Sequence, residues 1–389
     1  MGWSAFRKNG LTHHNQNLSV KGYTLFTPVS FPDIHLIDMH GRVVKSWQFD
    51  GISPNMAKFL PNGNLFISAM IVADLNRANA VAENDYSDPD MAVYQLGGIY
   101  TSLREYDWDG NLIWHYDQPR MHHDFHIFNN GDILFPQWVV IPEDIAATVQ
   151  GGYRNAERPQ IMFGDDLVRI NRKGEEVDRW HTWEMLDPVD DPIGPLQSGV
   201  EWSHMNSVDV MPDGQFVCSL CENSRVILID PEERKITWKL GDPTISMQHD
   251  ATPVPGGNIQ IFDNGRNRPL ALPYSQIIEV DPKTSEIVWR YKPGVPEQFY
   301  SAHISSAQRL SGGNVLICEG ATGRLFEVTR TGEIVWEWMS PFVGGPPSGR
   351  LYQWLYRAYR FPIDHPAFIE KELDPANYKQ VNSAYELNG

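Results

Sequence analysis

Cysteine is nearly absent from this chain. Only Cys218, Cys221 and Cys318 occur in 389 residues, so no disulfide framework holds the fold together. Cys218 and Cys221 form a C-x-x-C with no second pair to complete a metal site, and strand alternation sends the two thiols to opposite faces. No apolar run approaches the roughly 18 residues a membrane-spanning helix needs. Met1 to Lys8 lack the apolar core of a signal peptide, and Phe6 stands where N-myristoylation requires Ser or Thr. Basic residues are scarce: 32 Lys and Arg against 49 Asp and Glu give a net charge of −17, which argues against nucleic-acid or anionic-membrane partners. No P-loop and no G-x-G-x-x-G joins a strand to a helix, so a nucleotide donor is not expected. These absences together predict a soluble, cytoplasmic protein.

What the chain has in abundance is turns and aromatics: 31 Gly, 28 Pro and 13 Trp suit many short strands. One unit, an Asp- or Gly-marked turn followed by a β-branched pair and a Trp, ends at Trp47, Trp114, Trp180, Trp238, Trp289 and Trp336, six copies in all. Each reads as a hairpin whose Trp packs between sheets. A second unit precedes five of the six, centred on the turns Pro61–Asn64, Asn129–Asp132, Pro212–Gln215, Pro255–Asn258 and Ser311–Asn314. Two hairpins per repeat make a four-stranded antiparallel sheet, and radial repetition of such sheets makes a propeller. The expected fold is all-β, a six-bladed β-propeller whose ring is closed by the N- and C-terminal segments in one blade, with residues 351–361 supplying the missing inner strand. Residues 1–21 form a lead, 22–365 the propeller and 366–389 a tail expected to wrap the outside or to mediate a homo-oligomer.

Three polar segments break the repeat: Asp74–Tyr100, Val139–Asp165 and Met185–Val200. All fall at blade connections on one rim, where long loops commonly serve function. They are expected to be lids.

Histidines mark the same rim. Counting back from the first residue of each turn, His123 and His249 stand six residues before, and His204 and His303 eight before. All four offsets are even, which with a strand period of two puts the side chains on one face. His122 and His126 have odd offsets and are expected to pack or support. Asn206 shares the inward parity; Arg266 and Arg268 follow Phe262–Gly265; Tyr356, Arg357 and Tyr359 lie on the last inner strand. Arginine forks beside a histidine cluster suit a small anionic or aromatic substrate.

These residues resemble the PAPS-independent aryl-sulfate sulfotransferases (arylsulfotransferase family). The resemblance rests on Gly22-Tyr23-Thr24-Leu25-Phe26, His122-His123-Asp124-Phe125, Trp202-Ser203-His204-Met205-Asn206-Ser207, Gln248-His249 with Phe262-Asp263-Asn264-Gly265, and Leu355-Tyr356-Arg357-Ala358-Tyr359-Arg360-Phe361-Pro362. It implies a six-bladed propeller and transfer of a sulfuryl group between phenols through a sulfated histidine, with no cofactor. By that resemblance His204 and His249 are supporting histidines, Arg268 or Arg266 the family's arginine, and His303 the candidate nucleophile; His123 is additional to the pattern. Two other readings stay open: a metal-dependent lyase or oxygenase with His123, His204, His249 and His303 as ligands of a transition metal, and a non-catalytic scaffold.

Overall fold

A computed structural model describes residues 8–29, 31–81, 86–153, 161–268, 272–344 and 351–386. Residues 1–7, 82–85 and 154–160 lie outside the described residues, and with them the leader and acylation readings and parts of the first two insertions. The contacts divide the chain into two compact units: residues 1–69, 103–115 and 304–389, and residues 70–102 and 116–303.

The first unit holds two antiparallel sheets. One runs Leu355–Phe361, Tyr23–Pro28, Asp33–Ile37, Val43–Gln48, so the two chain ends do share one sheet, as expected. The other is Ser306–Arg309, Val315–Glu319, Arg324–Val328 and Ile334–Met339, to which Gly10–His14 adds a fifth, outer strand. The tail is anchored here: the Asn382 side chain accepts from Val43 N at 2.8 Å and donates to Val43 O at 3.1 Å, covering an outer strand.

The second unit contains the sheets Met205–Val210, Phe216–Leu220, Arg225–Asp230, Lys235–Leu240 and His249–Val254, Asn258–Asp263, Gln276–Asp281, Glu286–Tyr291. Their apolar faces meet: Val217, Val226 and Leu228 pack against Ile259, Ile261, Ile278 and Val280. On the other face Phe216, Cys218, Leu220, Ile227 and Ile229 pack against Leu134, Leu167 and Trp180. Middle strands are therefore buried on both sides, which is why they read as continuous apolar runs rather than alternating ones.

The arrangement is all-β and propeller-like, but the expected count of six blades is not met. Four sheets have blade size, and the remaining eight strands form one ladder. The physical reason is the pair Gln137–Met121, which hydrogen-bonds Ile133–Val140 to Leu112–His122 and so fuses what the repeats present as separate four-stranded sheets. Among the described residues no helix is long and apolar enough to cross a membrane.

Trp47, Trp180, Trp238 and Trp336 do the packing assigned to the repeated tryptophans. In four of the six the indole N–H reaches the turn of the next hairpin: Trp47 to Trp108 O at 2.9 Å, Trp180 to Pro231 O at 2.8 Å, Trp238 to Ser285 Oγ at 2.9 Å and Trp336 to Met39 O at 2.9 Å. Trp180 is buried, so Trp180→Phe leaves a cavity and an unpaired Pro231 carbonyl. The expected cost is ~1–3 kcal/mol, read as a lower urea midpoint at constant m-value.

Candidate functional site

The histidine cluster lies in the second unit, at the entrances of the inner strands. His123 and His204 do not sit inside strands: the paired segments begin at His126 and Met205. Both residues have left-handed backbone, φ 57° and 54°, which costs an ordinary side chain ~1–3 kcal/mol and persists only where surroundings enforce it. Period-two parity therefore does not carry over to them, and register shifts at Met205/Ser207 and His249/Thr252 break it again. What brings rings together is this turn geometry. The His123 and His204 ring centroids stand 4.5 Å apart at 71°.

Behind them lies His122, fully buried and stacked on Trp138 at 3.8 Å. Its Nδ1 is 3.0 Å from His123 Nδ1, and its Nε2 is 3.2 Å from Asp165 Oδ1. The other Asp165 oxygen accepts from Ser203 Oγ and from Met205 N at 3.1 Å. On the opposite side Glu201 hydrogen-bonds His204 Nδ1. His204 is enclosed by protein yet keeps 14% of its side-chain surface open.

The electrostatics separate the rings. Burial lowers the His122 pKa and outweighs the raising effect of Asp165, so this ring is neutral. Burial also pulls His204 down, but the Glu201 charge and hydrogen bond, helped by Glu222 and Asp165, overcome it and raise His204 to about 9. His204 is thus an imidazolium at neutral pH. Burial, then the charge of Glu201, raises the Glu222 carboxyl to about 7 against the opposing charges of His204 and Arg266.

A protein-family model described as Arylsulfotransferase (ASST) matches residues 88–340, well over half of the chain. The chain belongs to the arylsulfotransferase family. No curated protein matches it. Among solved structures, a protein of unknown function from Bacteroides caccae is similar at 12% identity and TM-score 0.54, covering 88% of this chain and 99% of that one; the likeness is one of fold. An inactive variant of virginiamycin B lyase from Staphylococcus aureus with quinupristin shows 13% identity and TM-score 0.43 over 81% and 85% of the two chains. A streptogramin B lyase shows 12% and 0.47 over 92% and 96%.

In this arylsulfotransferase-family chain the insertions converge beside the histidines. Ala92, Val93 and Leu96 from the first, Phe163 from the second and Val200 from the third form one apolar cluster with Trp138. The second and third are laced by backbone bonds, Phe163 N to Val200 O and Trp202 N to Phe163 O, both 2.7 Å. The first ends in Gly97-Gly98, against the rings: Gly98 O accepts from His123 N at 2.7 Å, and a Cβ at Gly98 would lie 2.3, 2.4 and 2.5 Å from Nε2, Cε1 and Cδ2 of His123. Such even spacing puts Gly98 over the face of the ring, leaving the in-plane direction of Nε2 clear of it.

Other expected site residues have different occupations. His249 Nδ1 meets Asn264 Oδ1 at 2.8 Å, and the His303 carbonyl accepts from Ser301 Oγ at 3.0 Å. Asn206 donates to Gln248 O at 2.8 Å, bridging neighbouring inner strands, much as Asp124 accepts from Val208 N at 3.2 Å. Arg268 is bound through Nη2 to the fully buried Asp263 and lies 4.9 Å over Tyr274, so one arm of its fork is engaged within the fold. Arg266 is exposed, with its charge acting on Glu222 and Cys221. Arg357, buried and 5.6 Å over Tyr356, and Tyr359, whose hydroxyl meets Met56 Sδ at 3.6 Å, belong to the first unit. Among the described residues no three His, Cys, Asp or Glu are grouped to hold a metal ion, so the four histidines weighed as ligands do not form a preassembled set.

Sequence reasoning missed Asp165, Glu201, Glu222 and Gly98. One signal was there: Asp165-Asp166 stand side by side in Phe163–Ile170 between Phe163 and the apolar pair Leu167-Val168, and adjacent carboxylates in such a buried strand need partners.

Gly98→Ala strains a residue at φ 77° and pushes Cβ into His123. Loss of ~1–3 kcal/mol is expected in urea unfolding, with displaced His123 resonances. A second prediction follows from linkage. His204 rises from 6.5 to about 9 and Glu222 from 4.5 to about 7, so for both the native state binds more protons than the unfolded chain. The His204 contribution is complete below pH 6.5 and is lost as pH climbs through about 9; that of Glu222 is lost between 4.5 and about 7. Unfolding free energy should fall by ~3 kcal/mol through His204 alone across its window, and His204→Asn should flatten the profile there.

Proposed function

We propose that this protein transfers a sulfuryl group between phenolic compounds, with His123 as the group carrier and His204 as the acid. The observation that carries the reading is the pairing of a His204 cation, held by Glu201, with a second imidazole 4.5 Å away. Family membership supports this reaction class. In the first half-reaction a His123 nitrogen attacks sulfur, an N–S bond forms, and the S–O bond to the aryl group breaks. The electron pair leaves with the phenolate, which takes the His204 proton. In the second half an acceptor phenol returns a proton to His204 and attacks sulfur, releasing His123. The substrates are small anionic aromatics, and Arg266 is an exposed cation that can meet their sulfate oxygens. His303, the nucleophile implied by the sequence resemblance, is the competing carrier.

The test is incubation with para-nitrophenyl sulfate and a phenol. Release of para-nitrophenol matched by sulfated acceptor is expected, with a loss of about 100- to 10,000-fold in His204→Ala. Quenched protein should carry one SO3 group on the peptide containing His123. The group on His303 would reassign the carrier, and no cleavage of any aryl sulfate would sink the reading. The carboxylates of Glu201 and Glu222 beside His204 favour a second reading, proton-transfer elimination without sulfuryl transfer. An unsaturated product from a non-sulfated substrate would support it.

A further inference from the structure

Asp165 and His122 form a chain that ends on His123, and its geometry fixes which nitrogen of His123 holds the lone pair. His122 Nε2 and Asp165 Oδ1 face each other at 3.2 Å, a contact at ion-pair distance with angles outside hydrogen-bond geometry, and among the described residues neither buried atom has a hydrogen-bond partner. The second Asp165 oxygen already accepts from Ser203 Oγ and Met205 N, the donors that suit a carboxylate. A carboxylate facing Nε2 draws the His122 proton to that nitrogen, and a neutral ring then has only a lone pair at Nδ1. The 3.0 Å contact between the two Nδ1 atoms is a hydrogen bond only if His123 supplies the proton.

We infer that Asp165, acting through His122, is a positioning residue that holds His123 as the Nδ1–H tautomer and so places the nucleophilic lone pair on Nε2. This rests on the proposed role of His123. When Nε2 bonds to sulfur the ring becomes cationic, and the Nδ1–H donated to His122, with the Asp165 charge behind it, stabilises that cation. No proton needs to leave the chain, and none is gained.

The inference is tested without substrate. In protein labelled with 15N-histidine, the His123 signals, assigned by their loss in His123→Gln, should show a protonated Nδ1 and an unprotonated Nε2. Asp165→Asn can still accept from Ser203 and Met205 through its carbonyl oxygen, but its amide donates toward His122 Nε2. Both tautomers should then reverse, leaving His123 protonated on Nε2. A wild-type His123 already protonated on Nε2, or an unchanged tautomer in folded Asp165→Asn, overturns the inference; where that variant does not fold, the wild-type spectrum decides alone. With an aryl sulfate, Asp165→Asn should lose about 100-fold or more in kcat with KM little changed. Predicted tautomers without sulfuryl transfer would refute the function and leave the relay standing. Transfer with an indifferent tautomer would do the reverse.

Discussion

One buried carboxylate organises the second unit. Asp165 receives Ser203 and Met205 on one oxygen and faces His122 with the other, while its carbonyl accepts from Thr182 Oγ1. An unpaired charge at that depth would cost several kcal/mol, so the side chain imposes its partners on the fold. Ser203 and Met205 bracket His204, which is how a residue on one strand decides where an imidazole two segments away must point. The left-handed backbone at His204 is bearable because this carboxylate and the neighbouring Glu201 over-determine the turn.

The same logic explains why the insertions are not ornamental. Phe163 and Val200 border Asp165 and Glu201 in sequence, and both enter the apolar cluster around Trp138, on which His122 stacks. Packing of the insertions and placement of the rings are therefore one event. Gly98 adds the remaining wall, since only a residue without Cβ can approach the His123 face this closely.

Local patterns were readable from sequence because they are local. The Gly turns and the Trp at each hairpin end recur at short range, and the structure uses Trp47, Trp180, Trp238 and Trp336 for the packing expected of them. The sharing of one sheet by both chain ends was also legible, from a strand lacking its neighbour. The blade count was not, because it turns on the long-range pair Gln137–Met121, which no repeat announces. Histidine parity failed for a physical reason: alternation presumes extended backbone, and His123 and His204 leave it. Asp165 was hidden by distance along the chain, although its place in an apolar strand marked it as needing a partner.

Charge is the last constraint. The arginine that resemblance singled out, Arg268, is committed to Asp263, a carboxylate that burial pushes up and that Arg268 and Gln276 pull back. Releasing Arg268 to a ligand would leave that carboxylate buried beside fewer donors, at a cost that a single sulfate contact does not offset. Positive charge near the histidines comes from His204 and Arg266, set against Glu201, Glu222 and Asp165. With Glu222 protonated, the two cations face Glu201 and Asp165; above about pH 7 they face a third carboxylate. Proton uptake by Glu222 therefore removes one negative charge from the field that an anionic donor meets.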